Sequence, residues 1–414
     1  MAANEPFPIL NTSADQLHTS PGNGPRRRRR SSLLADRNGE AKAPNDHSQT
    51  EPPPIRLSKR SLSIFRLAIS RHPSLLPFLI VCAVLATYGL NPTPSNPVHP
   101  LIFVSYPGDL VDPATNPQAA GSRLYDKGLL DLVLVSFYVV VLSFTREFFM
   151  NEVFRPLSRR LGLPRSKQAR FMEQMYTALY FGLSGPAGLY VMSRTPVWYF
   201  DPRGMYEGYP HRLQPGVVKF YYLFQAAYWA QQALVLVLGM EKPRKDFKEL
   251  VAHHIVTLAL IGASYRFHFT YMGLGVYLTH DISDFFLATS KMLKYLDSPI
   301  LAPYYAVFMA CWIYMRHYLN LLIIRSLFYE FKTVGPYILD WEAQAYKCDY
   351  AFFITLFLLC ALQGLNLFWL VYIVRIAWRF LRYSEAEDER SEGEEEEEEE
   401  EKEEGDCLDV GVEK

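Results

Sequence analysis

Cysteine is scarce in this chain, five residues in 414, and their positions exclude more than their number does. Cys82, Cys311 and Cys360 lie inside long apolar runs and Cys407 lies in a Glu-rich tail, which rules out a disulfide framework. Cys348 stands outside the runs with no cysteine to pair with on its side of the chain. No Cys/His spacing of the zinc-binding kind occurs, so no metal site is expected. Cys407 is too far from the last residue for a prenylation motif. No apolar run lies close to Met1, so no cleavable leader is expected. An inverted repeat or a pair of Gly/Pro-broken apolar segments, the marks of a proton-coupled transporter, is also missing. Charge of one sign does not dominate, since 42 basic and 43 acidic residues leave a net charge of -1, and no nucleic-acid partner is expected.

What is abundant is apolar material, 50% of the chain with 14% aromatic, and it is unevenly spread. Residues before about Leu75 and after about Arg382 are polar and charged; between them the apolar runs follow one another. A helix needs roughly 20 apolar residues to cross a hydrocarbon core of about 30 Å. Spans are expected at 75–90, 129–150, 172–192, 217–240, 250–270, 272–290, 301–328 and 351–380. The fold class is therefore an all-α polytopic membrane protein with about eight transmembrane helices. Residues 1–74 form a disordered basic arm, 75–164 the first two helices with their loop, 165–383 the remaining six, and 384–414 an acidic disordered tail.

Lysine and arginine set the orientation. The arginine run at 26–30 with Lys59, Arg60, Arg66 and Arg71 precedes span one, and Arg155, Arg159, Arg160, Arg165, Lys167 and Arg170 follow span two. Lys242, Arg244, Lys245 and Lys248 follow span four, Lys291 and Lys294 span six, and Arg379 and Arg382 span eight. All fall on one side, which should be the cytosol, with both termini there. The basic run before Ser31 and Ser32 suits anionic lipid headgroups or a basophilic kinase, or is a plain solvated arm; Ser384 and Ser391 suit an acidophilic kinase.

Ionisable side chains inside a span are costly, and each is a functional candidate by default. They gather in spans five and six: His253, His254 and Thr257, then Ser264, Tyr265, Arg266 and His268, a short turn at Gly273, then His280, Asp281, Ser283, Asp284 and Lys291. At about 1.5 Å per residue, His253 and His254 lie roughly 8 to 9 Å inside the cytosolic face, Asp284 roughly 10 Å and Asp281 and His280 roughly 15 to 16 Å. The spacings i,i+3 and i,i+4 let His280, Asp281 and Asp284 share one face or nearly so. Such a face must look into the bundle or a wet cavity. His253 and His254 point about 100° apart, so only one of them aims squarely at a reacting centre. Arg266 and His268, near the far end, read as structural residues that snorkel. Arg316, His317 and Asn320 form a second polar patch, in which Arg316 either neutralises an Asp of span six or satisfies backbone carbonyls. Trp198, Tyr199 and Tyr221 read as an interfacial belt.

The order His253-His254, Ser264-Tyr265, Gly273, His280-Asp281, Asp284 and Lys291 resembles the signature of the longevity-assurance ceramide synthases, within the wider TLC membrane domain. The likeness covers roughly residues 165–383, and the stretches 267–270 and 312–318 look like the fungal branch. The sequence departs from many animal members in having no homeobox-like insert and no Glu just before Lys291. The resemblance implies a helical bundle around an internal lipid chamber in the endoplasmic reticulum membrane. It implies transfer of a fatty acyl group from acyl-CoA to the amine of a sphingoid base, dihydrosphingosine or phytosphingosine, with acyl-CoA as co-substrate and no other cofactor. His253, His254, Asp284, Asp281 and His280 would form the catalytic set; Ser264, Tyr265, Arg316 and Lys291 would touch substrate.

A thioester is already activated, so such an enzyme must align the amine, remove its proton and stabilise the tetrahedral intermediate. Either His253 or His254 attacks to give an acyl-imidazole, the version the resemblance favours, or the histidine acts as general base in a direct transfer. Asp284, with Asp281, would orient the imidazole. Lys291 and Lys294, with Arg244 and Lys245, suit the phosphates of coenzyme A, and the positive-inside bias accounts for them equally. The turn at about 328–350 is implied to set acyl-chain length, and a small single-span accessory subunit or a homo-oligomer to complete the assembly. The competing class is a non-enzymatic TLC-type lipid sensor, carrier or translocon-associated protein.

Overall fold

The computed structural model describes residues 74–110, 121–241 and 245–383. The arginine run, Ser31, Ser32, Lys242, Arg244, Ser384, Ser391, Cys407 and the acidic tail lie outside the described residues.

Each of the eight apolar segments is a helix. With one short helix between the first two, they are α1 (Leu75–Leu90), α2 (His99–Ile102), α3 (Leu130–Arg160), α4 (Arg165–Met192), α5 (Gly216–Val237), α6 (Phe247–Arg266), α7 (Thr270–Tyr295), α8 (Leu301–Tyr329) and α9 (Asp349–Tyr383). Among the described residues, three helices, α3, α8 and α9, are long and apolar enough to cross a membrane. The other long helices fall short for a physical reason: α4 to α7 spend positions on buried polar groups such as Ser184, Gln225, His253 and Asp281. Glycine in the left-handed region ends two helices, α3 and α5. Gly162 (φ 72°) follows α3 and Gly239 (φ 61°) follows α5. After each glycine the next amide reaches back five residues, Leu163 to Ser158 and Met240 to Val235, closing carbonyls that the last turn would leave bare.

Two helices change pitch. α3 passes through a π-helical stretch at Phe149–Phe154 and α8 through another at Ile313–Leu319, which contains Arg316 and His317. π-helical turns inside α-helices concentrate at functional sites.

Two small antiparallel sheets, which an all-α reading omits, close one end of the bundle. Strands β1 (Pro107–Leu110), β2 (Arg123–Tyr125) and β3 (Gln214–Pro215) pair in that order, with Leu124 opposite Pro215. β4 (Leu339–Asp340) pairs with β5 (Ala345–Tyr346) in the turn between α8 and α9. Under the sheets sits a buried ion cluster. Lys219 of α5 meets Asp131 of α3 at 2.7 Å, and Tyr265 of α6 donates to the same carboxylate at 2.7 Å. One core joins α4, α5, α7 and α8 through Met192, Leu278 and Ile323; another joins α3 to α6 through Tyr180, Tyr228 and Trp229.

Candidate functional site

α6 and α7 run antiparallel, joined by Phe267, His268 and Phe269, so the turn comes before Gly273 and not at it. His268 takes a positive φ of 65°, and the Phe269 amide donates to the Ser264 carbonyl at 2.8 Å. Gly273 stands in the first turns of α7, where a Cβ would lie 2.6 Å from the Tyr222 hydroxyl and 2.9 Å from Ser264 Oγ. On α6 the positions His253, Thr257 and Ser264 recur at helical spacing, and on α7 Gly273, Val276 and His280 do the same. All six line one apolar cavity of about 220 Å³, which continues to Trp341 and Tyr346 beside the smaller sheet.

A second cavity, about 210 Å³, opens on the opposite end of the hairpin. It is the more polar of the two: His254, Asp284, Lys291, Arg316 and Asp246 line it. The two cavities share two residues, His253 and Trp229.

The three imidazoles have different surroundings. His253 is 5% exposed and lies edge-on to Trp229 (5.6 Å between centroids) and Trp369 (5.3 Å), with the His280 ring at 6.4 Å. Its Nδ1 is buried without a protein partner. His254 donates from Nδ1 to the Leu250 carbonyl at 2.9 Å, so its lone pair resides on Nε2. His280 is tied at both ends. Its Nδ1 donates to the Val276 carbonyl at 2.8 Å. Arg316 can only donate, so Asn366 must turn its Oδ1 to Arg316 Nη1 (3.1 Å) and its amide N–H to His280 Nε2 (3.3 Å). Both nitrogens of His280 are thereby occupied.

The two aspartates part company. Asp284 receives Arg316 Nη2, and the same guanidinium donates to Ser283 Oγ at 2.6 Å and lies over the Trp312 ring at 4.2 Å. Arg316 therefore neutralises an Asp of span six. Asp281 faces away from the cavities, toward α4 and α5, where its Oδ2 accepts from Ser184 (3.1 Å), Tyr221 (3.3 Å) and Gln225. A 100° step per residue puts i and i+3 about 60° apart, enough here to send one carboxylate into the polar cavity and the other into a helix interface.

The remaining candidates divide in the same way. Ser264 lines the apolar cavity, bonded to the Tyr222 hydroxyl, and Lys291 lines the polar one. Tyr265 turns instead to Asp131 in the ion cluster. Arg266 donates to the Tyr346 hydroxyl at 3.1 Å, and His268 is buried against the same ring. Trp198 and Tyr199 are exposed as a belt requires, but Tyr221 is buried on Asp281, a partner that hydropathy does not reveal. Sequence reasoning missed Trp229, Trp369 and Asn366; the signal for Asn366 was an amide in the middle of α9, the most apolar of the three helices long enough to span a membrane.

The family model described as the TLC domain matches residues 170–375, a stretch that contains both cavities' histidines and aspartates. A sphingosine N-acyltransferase-like protein, FUM17, of Gibberella moniliformis is 48% identical over 340 residues, 81% of this chain and 87% of that protein. The ceramide synthase LAG1 of Saccharomyces cerevisiae is 46% identical over 78% of this chain and 76% of its own. The sphingosine N-acyltransferase lac1 of Schizosaccharomyces pombe is 45% identical over 77% and 80%. With a paired histidine set between a polar mouth and an apolar cavity, and likeness of this extent to three fungal proteins, the chain belongs to the TLC-domain family of sphingosine N-acyltransferases, the ceramide synthases.

Proposed function

We propose that the protein is a ceramide synthase, transferring a fatty acyl group from acyl-CoA to the amine of a sphingoid base in the endoplasmic reticulum membrane. One observation carries the reading: His253 walls both the polar and the apolar cavity. An acyl thioester is an amphiphile with the same division, a charged water-soluble carrier on one side of its carbonyl and a hydrocarbon chain on the other. Seated across the two cavities, it brings its carbonyl to His253.

The covalent route then runs as follows. A His253 nitrogen adds to the thioester carbonyl, the C–S bond breaks, coenzyme A leaves by the polar mouth, and the acyl-imidazole stays. The sphingoid amine, deprotonated by a base such as His254 Nε2, attacks the same carbon; the amide forms and His253 is released. Asp284 lines the polar cavity together with His253 and His254, and Arg316 fixes it there, so its part is to shape the wall against which the carrier end of the thioester rests. His280, with both nitrogens engaged, and Asp281, held in the α4–α5 interface, act on the site through packing. Lys291 at the polar cavity suits a phosphate of coenzyme A.

In this reading all eight long helices cross the bilayer, the polar mouth and both termini face the cytosol, and the sheets face the lumen. From His253 to Phe267 the apolar cavity follows about 21 Å of helix. Trp341 and Tyr346 at its end are then the side chains that limit acyl-chain length. A small single-span subunit or a second copy of the chain completes the assembly.

The test is ceramide formation by mass spectrometry in purified membranes, with acyl-CoA of several lengths and a sphingoid base, for wild type, His253→Ala, His254→Ala and Asp284→Ala. Activity in the wild type and its loss in folded His253→Ala support the proposal. A wild type that makes no ceramide, with an accessory subunit supplied, overturns it.

A further inference from the structure

Buried polar groups in folded proteins are nearly always paired, because leaving one bare costs about 1 to 3 kcal/mol. Two donors beside His253 break that rule. Trp229, 6% exposed, has its indole Nε1 buried with no partner, and Thr257 has its Oγ1 buried with none. The threonine is the more telling. Inside helices of this chain, Thr87, Thr145, Thr177 and Thr289 each donate to the carbonyl four residues back, the ordinary resting place for such a hydroxyl. Thr257 does not, although His253, four residues back, offers that carbonyl.

Both groups line the apolar cavity. Thr257 lies one turn beyond His253 on the same face of α6. Trp229, from α5, is the second of the two residues common to the polar and apolar cavities, and its ring meets that of His253 at 5.6 Å and 71°. An indole N–H can only donate. Its natural partner is therefore an acceptor that arrives at the junction.

We infer that Trp229 Nε1–H, assisted by Thr257 Oγ1–H, is the oxyanion site of the acyl transfer, receiving the carbonyl oxygen of the acyl group held at His253. The inference rests on the ceramide synthase reading and holds for both routes. When the histidine, or the amine directly, adds to the carbonyl carbon, a C–N bond forms and the π pair moves to oxygen. Trp229 and Thr257 donate to that oxygen. As the pair returns, the C–S bond breaks and the thiolate leaves. In the covalent route the same two donors serve again when the amine adds and the imidazole departs. Donors already aimed at the place where charge develops need no reorganisation during the reaction.

The test compares Trp229→Phe, Thr257→Val and Thr257→Ser with wild type in the ceramide assay, recording kcat and KM for acyl-CoA and thermal stability in detergent. Trp229→Phe keeps a ring in place and removes the N–H; kcat is expected to fall about 100-fold with KM nearly unchanged, in the range of about 10² to 10³ found when one oxyanion donor is removed. Thr257→Val is expected to lose about tenfold in kcat, and Thr257→Ser, which restores the hydroxyl, to stay within about threefold of wild type. If Trp229→Phe and Thr257→Val are folded and keep wild-type kcat while the wild type makes ceramide, the inference is wrong and the ceramide synthase reading stands. If the wild type makes none, both fall together. If Trp229→Phe does not fold, the contrast between Val and Ser at position 257 decides the question.

Discussion

The guanidinium of Arg316 on α8 holds the Asp284 carboxylate of α7 while reaching Ser283 and Asn366 with its other nitrogens, so that one side chain ties α7, α8 and α9 together. Breaking such a buried pair by removing one partner costs about 3 to 5 kcal/mol, because the other charge is left uncompensated. Arg316→Met is expected to lower the melting temperature in detergent sharply. Arg316→Lys should recover only part of the loss, since a single ammonium cannot reproduce the planar fork that serves three partners. A Lys variant as stable as wild type would show that charge alone matters there.

Asp281 and Asp284 give a paired prediction. Asp281 accepts hydrogen bonds from two helices and lines neither cavity. Asp281→Asn should reduce the yield of folded protein while the turnover of each folded molecule stays within about tenfold of wild type, short of the larger loss typical of a removed acid-base group. Asp284→Asn, at the polar cavity, should lose turnover in molecules that remain folded. Measuring ceramide formation per folded molecule by monodisperse elution separates the two; equal turnover losses would place Asp281 in the chemistry after all.

Gly273 and Gly188 mark close approaches. A Cβ at Gly273 would meet Tyr222 and Ser264, and one at Gly188 would lie 2.3 Å from the Tyr221 hydroxyl and 2.5 Å from Leu278. Overpacking of this kind costs about 1 to 3 kcal/mol. Gly188→Ala should be the worse of the two, since Tyr221 cannot retreat without leaving Asp281. Gly273→Ala should also narrow the apolar cavity and shift product toward shorter acyl chains, read by mass spectrometry. An unchanged product spectrum would remove Gly273 from the cavity's working wall.

His211 lies in the segment between α4 and α5, donating from Nε2 to the Glu207 carbonyl at 2.8 Å with its ring 4.0 Å from that of Tyr271. Burial pushes this imidazole down to about 3. An unfolded histidine titrates near about 6.5, so between those values the unfolded chain carries a proton that the folded one refuses. Stability therefore falls as pH drops through that window, by about 1.4 kcal/mol per unit at most. Melting temperatures at pH 7, 6 and 5 should decline in wild type and decline less in His211→Gln. Parallel curves would assign the acid sensitivity elsewhere.

Much of this was legible in the chain itself. All eight apolar runs became helices, and the depth estimate from 1.5 Å per residue brought the histidine pair and Asp284 to one cavity, because helical rise is a constant of the backbone. Rotation about the helix axis was less secure. Asp281 and Asp284 look alike in sequence, and only the positions of Ser184, Tyr221 and Gln225 on other helices decide that they diverge. Tyr265 was drawn to Asp131, 134 residues away, a contact with no local trace. The partnerless donors, Trp229 and Thr257, are defined by what surrounds them in space.

The π-helical stretch of α8 gives that helix two independent phases. Before it, Phe308 and Trp312 pack on Trp369 and Ile373 of α9; after it, Ile323 and Leu327 belong to the core shared with α4 and α7. A turn closed over five residues holds one residue more than the α pattern needs, and Arg316 sits in it. Deleting a single residue between 313 and 319 would bring α8 into one phase and turn one half about 100° against the other. Either the Phe308 seam or the Ile323 seam would then face lipid. The surplus residue is thus a clutch between two packing surfaces, and the arginine that holds Asp284 rides on it.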